Sequence, residues 1–393
     1  MGFNSQNENF LVGLKKDDAI VQIGTFSKGM KTNEKDSLIQ SIIKNEKRRE
    51  NGNILIEPGI CVKLFFKTIK ENELINPIFN SFQLEISWEN CTWDRLIIDN
   101  TLVEGGMKLT HSKKTLWKTP YINKEGFLSY LIQVSSYMLP FLERRTLTTI
   151  RYPHGIPGDF FYQKNCPDYA PSSILTKSVE GINYIVCNEL STLLWLGNQL
   201  AIEYHIPFQT IDSLKPSEIV FDLDPPSKGD FHLAIKAALE MKKIFDSLEI
   251  RSYPKLSGNK GLQIHIPIKV NSLTYEDTRI FMYFIAKYLI EKFPDDFTIE
   301  RLKKKRNGKL YIDYLQHAEG KTIISPYSTR GQENATVAAP LYWEEVNENL
   351  RIEKFNIPFV LDRLSKVKCP MDDFFIQENA NLLEIISTLK VNL

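Results

Sequence analysis

The 393-residue sequence has little cysteine and no long apolar run, and each shortage excludes a class of protein. Its five cysteines include no C-x-x-C pair and no neighbouring histidine cluster, which argues against a structural zinc site and a disulfide framework. No segment approaches the length of about 20 apolar residues needed to span a bilayer, and no basic and apolar leader opens the chain. We therefore expect a soluble protein of the reducing cytoplasm, without a membrane partner.

An excess of either charge is also missing, because 49 lysines and arginines stand against 48 aspartates and glutamates. Proteins that bind polyanions through their overall charge carry a basic excess, so any such site here must be a local patch. The length is sufficient for two or three domains with full cores.

The pattern of the chain changes along its length. Residues 1–100 read as short β-rich segments around one polar helix, which predicts a small closed or nearly closed barrel. Residues 101–112 are polar and contain glycine, as a linker would. Strands and helices alternate over residues 113–350, the pattern of a mixed α/β sheet, and residues 351–393 read as a helical tail. The predicted fold is an α/β (α+β) core with mixed sheets, plus a small N-terminal β-barrel.

The segment "EIVFDLDPP", residues 218–226, places two aspartates in an apolar strand. Side chains alternate across a strand, so Asp222 and Asp224 share one face. The two prolines that follow cannot donate to a continuing ladder, so the strand should end where the charges emerge. Adjacent carboxylates cost free energy unless a cation compensates them. Two simpler interpretations are a cap for the next helix, a position that Asp230 fills better, and charges on an edge strand.

A third carboxylate follows in "RNGKLYIDYLQHAEG". Its Asn307-Gly308 pair predicts a hairpin, and Asp313 shares a face of the next strand with Tyr311. A lone acid in an apolar strand is usually a satisfied core residue or an edge charge. Three aspartates on strands instead provide an all-oxygen site for hard divalent cations, which phosphoryl-transfer enzymes use in pairs.

Groups suited to a triphosphate lie in "KLSGNKGLQIHIPI". Its glycines let the backbone approach a phosphate closely beside Ser257, and Lys260 adds a positive charge. Gln263 and His265 then share the polar face of a strand. A glycine-rich turn alone is weak evidence, since most such turns only join strands. Arg306 closes a basic run that is otherwise typical of a solvated loop.

Together with "RTLTTIRYPHGIPGDFFYQKNCP" and "LSTLLWLGNQLAIEYHIP", these motifs resemble the polymerase domain of bacterial DNA ligase D, of the archaeo-eukaryotic primase superfamily. The similarity runs in order from about Leu109 to about Trp343. It implies a primase-polymerase fold over residues 113–350, NTP or dNTP substrates, and two Mn²⁺ or Mg²⁺ ions. The implied metal ligands and catalytic residues are Asp222, Asp224 and Asp313. The implied nucleotide-binding residues are His205, Ser257, Lys260, Gln263, His265, Arg306, Gln316 and Arg330.

The same resemblance implies contacts to DNA. Lys114 and Lys124 match lysines that grip the 5′-phosphate at the far edge of a gap, Phe161 and Tyr162 would stack on bases, and Lys164 lies beside them. One departure concerns Gln263, where related polymerases usually carry histidine. The donor to the triphosphate is then either the Gln263 amide or His265.

Residues 1–100 resemble the oligonucleotide-binding-fold domain that ends the ATP-dependent ligase module of some ligase D enzymes. No K-x-D-G adenylation motif occurs in the sequence, so we expect no nick sealing by this chain. The resemblance implies gap filling or 3′-end extension in bacterial non-homologous end joining, at the nucleoid. The expected partners are DNA ends and gaps with a 5′-phosphate, bacterial Ku and a ligase encoded elsewhere. The alternatives are a non-catalytic module that bridges DNA ends and a stand-alone primase.

Overall fold

A computed structural model describes residues 2–16, 19–101 and 108–391. The chain forms two compact units, Met1–Gly106 and Met107–Leu393. Half of the linker predicted at residues 101–112 lies outside the described residues. No helix within the described ranges is both long enough and apolar enough to cross a bilayer.

The N-terminal unit is rich in short strands. Its strands are β1 (Gly2–Asn4), β2 (Asn9–Lys16), β3 (Ala19–Phe26), β4 (Arg48–Glu50), β5 (Asn53–Leu55), β6 (Val62–Phe65), β7 (Thr68–Lys70), β8 (Glu73–Ile75) and β9 (Ile78–Phe82), and its helices are α1 (Thr32–Lys44) and α2 (Trp93–Thr101). Five strands form one sheet in the order β3-β2-β1-β5-β4, and the pairs β6-β9 and β7-β8 form two ribbons. Among the described residues these pairings leave the sheet open, so closure into a barrel stays a prediction.

Aromatic packing holds this unit together. The rings of Phe3, Phe10 and Phe26 follow one another at centroid distances of 5.2 Å. Helix α1 adds Leu38 and Ile42 to the same buried cluster. These two residues are four positions apart and so lie on one face of the helix. Cys61 and Cys91 form no disulfide, and the Cys91 thiol donates a hydrogen bond to Cys61 Sγ at 3.6 Å.

The C-terminal unit alternates strands and helices, as the sequence predicts. Its strands are β10 (Thr115–Lys118), β11 (Tyr121–Asn123), β12 (Thr148–Arg151), β13 (Phe161–Gln163), β14 (Thr176–Val179), β15 (Ile182–Ile185), β16 (Ala201–Pro207), β17 (Glu218–Asp224), β18 (Tyr253–Leu256), β19 (Leu262–Pro267), β20 (Phe297–Thr298), β21 (Leu310–Asp313) and β22 (Thr322–Ile324). Its helices are α3 (Lys124–Leu142), α4 (Leu190–Asn198), α5 (Phe231–Ser247), α6 (Tyr275–Lys292), α7 (Ile357–Lys366) and α8 (Leu382–Val391).

Two sheets position the polar residues of this unit. One has the order β18-β19-β17-β21-β20 and is mixed, since only β20 and β21 run parallel. The other has the order β13-β12-β16-β22. Smaller ribbons join β10 to β11 and β14 to β15. The mixed α/β architecture confirms the predicted fold class.

The mixed sheet has one apolar and one polar face. Phe221 of β17 packs against Phe245 of α5 and Phe281 of α6, with ring centroids 5.8 and 6.3 Å apart, so both helices cover the apolar face. Burial of such rings contributes on the order of 2 kcal/mol each. The other face carries the alternate residues of β17, among them Glu218 and Asp222. The alternation therefore directs the carboxylates away from the helix-covered core.

Two local predictions need correction. Asn307 and Gly308 both have positive φ, at 50° and 77°, but they do not join a hairpin. Strand β21 follows the turn and pairs with β17 and β20 instead, because the turn residues fix only the local bend. Asp230 stands at the N-cap of α5, yet its carboxylate accepts a hydrogen bond from the Ser227 hydroxyl and not from a helix amide.

Candidate active site

Three carboxylates meet where β17 and β21 run side by side. Asp222 pairs directly with Asp313, and Asp224 lies opposite Tyr311. Directly opposed residues of antiparallel strands have Cβ atoms about 5 Å apart, so the register brings the acids of two distant segments together. Strand β17 ends at Asp224, before the two prolines that cannot extend the ladder. The predicted trio thus shares one edge of the polar face.

Each carboxylate has different partners. Asp222 accepts a hydrogen bond of 3.1 Å from the Gln263 amide. Asp224 contacts the ammonium of Lys260 at 2.8 Å and the guanidinium of Arg306 at 3.4 Å. Asp313 accepts from the backbone N–H groups of Leu315 and Gln316 at 3.2 and 2.9 Å, and from the Tyr311 hydroxyl at 3.1 Å. Within the described part of the chain, Asp224 is thus the member of the trio that forms direct ion pairs with cations.

Burial, with a contribution from the charges of Asp224 and Asp313, raises the pKa of Asp222 to about 6, while the Gln263 hydrogen bond and the charge of Lys255 oppose the rise. The charge of Lys255 does not cancel this rise, so the site lacks a fully compensating positive charge. A divalent cation supplies one, and carboxylate oxygens are its preferred ligands. The donor set therefore fits Mg²⁺ or Mn²⁺.

Among the residues that the structure describes, no three side chains of histidine, cysteine, aspartate or glutamate already form a metal cage. The contacts explain this, because Asp224 turns to Lys260 and Arg306 while Asp313 turns to the amides of its own loop. Binding of an ion through Asp224 would compete with these two cations, whereas Asp313 accepts its three hydrogen bonds on Oδ1. Lys260 also donates to the Pro225 carbonyl at 2.7 Å, which gives its ammonium a second position to occupy.

The loop between β18 and β19 lies against this edge. Ser257 Oγ accepts from the backbone N–H groups of Asn259 and Gly261 at 3.3 and 3.0 Å and so shapes the turn. Gly258 has a φ of +72°, and a Cβ there would come within 2.7 Å of Arg330 Cγ. The loop therefore needs glycine for its backbone angle and for close contact with the arginine.

Two proposed nucleotide contacts, His205 and Arg330, share one carboxylate that the sequence analysis did not single out. Glu203 lies within 2.9 Å of His205 Nε2 and of an Arg330 terminal nitrogen. Arg330 Nε is buried and has no hydrogen-bond partner in the described part of the chain. A buried N–H without an acceptor is costly, so this nitrogen is available to a ligand oxygen.

Gln263 and His265 occupy different environments, which bears on the two alternatives for the triphosphate donor. The Gln263 amide reaches Asp222, whereas His265 is fully buried with Nδ1 2.7 Å from Glu218. Burial lowers the pKa of His265, and Glu218 opposes that effect. The placement favours Gln263 over His265 as the residue nearer the carboxylates.

Lys255 is a second residue that sequence reasoning missed. It is fully buried, and its ammonium donates to Gln263 Oε1 at 2.5 Å. An ammonium has no acceptor atom, so it fixes the carbonyl end of the Gln263 amide toward itself and the NH₂ end toward Asp222. Burial lowers the pKa of Lys255 to about 7, although the charge of Asp222 opposes that effect. The sequence signal that could have indicated Lys255 is its position two residues before Ser257, a predicted nucleotide contact.

The remaining nucleotide contacts predicted from the sequence lie nearby. Arg306 stacks its guanidinium 3.9 Å from the centre of the Tyr311 ring and donates to the carbonyls of Glu300 and Arg301. The Gln316 side chain donates to the Thr322 carbonyl at 2.9 Å, while its backbone N–H reaches Asp313. Gln316 is therefore adjacent to the trio, with its amide engaged elsewhere.

The two predicted phosphate-gripping lysines form one local cluster. The backbone N–H of Lys124 donates to the Lys114 carbonyl at 2.8 Å. The Lys124 ammonium donates to the Thr110 carbonyl at 2.6 Å, and that of Lys114 to the Pro153 carbonyl. Burial, together with the nearby charge of Lys114, lowers the pKa of Lys124 to about 8. Two cations that repel each other favour an anion between them.

The predicted base-stacking residues are on the surface. Phe161 and Tyr162 of β13 are 44% and 65% exposed, and Lys164 follows them in an exposed position. The guanidinium of Arg151 lies 5.3 Å from the centre of the Phe161 ring. Exposed aromatic rings beside cations suit nucleic acid, because bases stack on the rings while cations contact phosphates.

Comparison with known proteins identifies the family of the C-terminal unit. Residues 123–371 match the family described as LigD, primase-polymerase domain. The chain is 46% identical over 374 residues to the bifunctional non-homologous end joining protein LigD of Bacillus subtilis, covering 95% of this chain and 61% of that protein. It is 30% identical over 268 residues to the multifunctional LigD of Mycolicibacterium smegmatis, covering 66% of this chain and 35% of that protein.

A solved structure is similar as well. The polymerase domain of Mycobacterium tuberculosis ligase D, in complex with DNA, superposes with a TM-score of 0.64 at 25% identity, covering 70% of this chain and all of that one. The chain thus spans less than two thirds of the length of these curated relatives. The family match extends over more than half of the sequence, and its bounds enclose all three candidate metal ligands. The chain therefore belongs to the LigD primase-polymerase domain family.

Proposed function

We propose that this chain is a template-directed nucleotidyltransferase that extends 3′ ends and fills gaps at double-strand breaks in bacterial non-homologous end joining. The observation that carries the proposal is the pairing of Asp222 with Asp313 beside Asp224, next to the cations Lys260 and Arg306. Its relatives are named for non-homologous end joining, and the similar solved domain is bound to DNA.

In the proposed reaction the 3′-hydroxyl oxygen of a DNA strand forms a bond to the α-phosphorus of an NTP or dNTP. The bond from that phosphorus to the oxygen bridging to the β-phosphate breaks, pyrophosphate leaves, and the hydroxyl proton passes to water. Asp222, Asp224 and Asp313 would hold two Mg²⁺ or Mn²⁺ ions, which supply the charge that activates the hydroxyl and stabilises the leaving phosphate.

The positively charged side chains would bind the triphosphate. Lys260 and Arg306 now neutralise Asp224, and an incoming nucleotide with its cations lets both turn to phosphate oxygens. Arg330 Nε, buried without an acceptor among the described residues, would donate to the same group. Such donors, already in place before the reaction, stabilise charge that develops in the transition state. Ser257, Gln263 and Gln316 would complete the pocket.

The DNA would lie across the exposed aromatic residues and Lys164, and its 5′-phosphate would reach the half-buried Lys114 and the buried Lys124. Phe161 and Tyr162 would stack on bases beside Lys164, and the Lys114 and Lys124 ammonium groups would hold the 5′-phosphate at the far edge of a gap. We further propose that the protein accepts ribonucleotides along with deoxynucleotides. Bacterial Ku would bring it to broken DNA ends at the nucleoid. Residues 1–100 would form an oligonucleotide-binding-fold domain. The sequence contains no K-x-D-G motif, so sealing would need a ligase module outside these 393 residues.

Extension of a labelled gapped duplex tests the proposal. Wild-type protein should add nucleotides in Mn²⁺ or Mg²⁺, with ribo- and deoxynucleotides compared, and the Asp222→Ala, Asp224→Ala and Asp313→Ala variants should each lose at least about 10³-fold in rate. Binding of ends without any extension would indicate a bridging module. Synthesis on a template that lacks a primer would indicate a primase.

A further inference from the structure

The carboxylate of Glu203 lies behind two of the proposed nucleotide contacts. Its side chain is 4% exposed. Its Oε2 is 2.9 Å from His205 Nε2 and 2.9 Å from Arg330, and its Oε1 accepts from the Gly331 N–H at 2.9 Å. These hydrogen bonds all go to residues proposed to hold the nucleotide or to the residue after one of them.

Burial alone would raise the pKa of Glu203, but the His205 hydrogen bond and the Arg330 charge outweigh it and hold the pKa below its ordinary value. The carboxylate is therefore ionised, and it can only accept hydrogen bonds. His205 must consequently carry its proton on Nε2. Burial lowers the pKa of His205, and the Glu203 hydrogen bond and charge oppose that effect, so Nδ1 would donate to a phosphate only when the negative charge of a bound triphosphate favours the imidazolium.

We propose that Glu203 is a positioning residue for the nucleotide, which fixes His205 and Arg330 in the orientation that presents both to the triphosphate. This inference rests on the proposed function. It gives Arg330 a defined geometry, because one terminal nitrogen is held by Glu203 while Nε stays without a partner among the described residues. A guanidinium fixed at one end presents its other N–H groups to a phosphate at less entropic cost.

The mixed sheet contains a matched control. Glu218 is also buried and also contacts one arginine and one histidine, with Arg145 at 2.8 Å and His265 at 2.7 Å. Unlike Glu203, it has no contact with His205 or Arg330. Replacement of either glutamate by glutamine removes a buried charge of the same type, so a merely structural role predicts similar consequences for both variants.

The test compares Glu203→Gln with Glu218→Gln in extension of a gapped duplex over a range of nucleotide concentrations. We expect Glu203→Gln to raise the KM for nucleotide at least tenfold with a smaller change in kcat, because its amide must present N–H groups to His205 and Arg330 or to the Gly331 N–H. Glu218→Gln should lower the melting temperature and leave the KM unchanged. An unchanged KM for Glu203→Gln, or an equal rise in both variants, overturns the inference.

A second comparison tests whether Glu203 acts through Arg330. In an Arg330→Met background the same change should raise the KM by a smaller factor, because one of the groups it positions is already gone. Fully additive effects would contradict the inference. Failure of the wild-type protein to extend any primer is distinguishable from both results and would refute the proposed function itself.

Discussion

Replacement of Asp222 by asparagine should stabilise the metal-free protein while it abolishes nucleotide addition. Burial and the neighbouring carboxylates raise the pKa of Asp222 from 3.8 to about 6. At 1.36 kcal/mol for each pKa unit, ionisation of this group costs the folded state about 3 kcal/mol. Asparagine has no charge to ionise, and burial of its extra N–H costs about 1 kcal/mol. The net gain at pH 7.5 is about 2 kcal/mol, or about 4 °C in melting temperature.

The pH dependence follows from the direction of the shift. Because the pKa is higher in the folded state, the stability from the protonated carboxyl is complete below about pH 4 and is lost as the pH rises to about 6. The advantage of Asp222→Asn should therefore shrink to less than about 1 kcal/mol at pH 5. Thermal unfolding in a chelator at both pH values measures it. Asp246→Asn, at an exposed aspartate of α5 paired with Lys242, should change stability by no more than about 0.5 kcal/mol.

Addition of Mn²⁺ completes this test. Binding to the folded state raises the melting temperature of the wild-type protein, and the Asp222→Asn variant should gain much less from the same concentration. A variant that melts earlier than wild type at pH 7.5 without metal would show that Asp222 is a satisfied core residue. Retained extension activity in the folded variant would refute its role as a metal ligand.

Three further predictions concern other parts of the chain. Burial raises the pKa of Glu218, but Arg145 and His265 outweigh this effect and lower the pKa to about 2. The ionised carboxylate therefore contributes about 3 kcal/mol to the free energy of unfolding, and this contribution should be lost as the pH falls from about 4.5 to 2. Acid unfolding of the wild-type protein and of Glu218→Gln measures the loss. The Lys114→Ala/Lys124→Ala variant should bind 5′-phosphorylated gaps more weakly, and the slope of its log binding constant against log salt concentration should be shallower by at most about two. An equal loss of affinity for blunt duplex in the same titrations would contradict the assignment. Incubation with ATP and Mg²⁺ should yield no covalent AMP adduct by mass spectrometry, and an adenylated lysine would show that the N-terminal unit has been misinterpreted.

The sequence predicted the structure best where all the residues that determine a feature lie within one strand. The alternation in "EIVFDLDPP" predicts that Asp222 and Asp224 share a face, and the two prolines predict where β17 ends. The structure agrees on both points. The pairing of Asp222 with Asp313, a residue of a distant segment, could be suspected from chemistry alone, but its register depends on which strand lies beside β17. The failed hairpin at Asn307 has the same cause.

The contacts between distant segments could not be predicted from local pattern. Glu203 reaches Gly331 across 128 positions of the chain, and Lys255 meets Gln263 because β18 and β19 are neighbours in the sheet. Both residues read as ordinary charges in the sequence. Tertiary packing buries both side chains, and a hydrogen bond or ion pair is stronger in the low-dielectric interior than on the surface. Such residues become visible when the sheets are assembled.

Incorporation opposite a chosen template base tests the central claim most directly. Four gapped duplexes that differ only in the templating base, each with a 5′-phosphate, would be offered each of the four nucleotides in Mn²⁺. We expect the wild-type protein to add the complementary nucleotide in preference to the other three on every template, and the Asp313→Ala variant to add none. Equal addition of all four nucleotides, or no addition by the wild-type protein, would contradict the account.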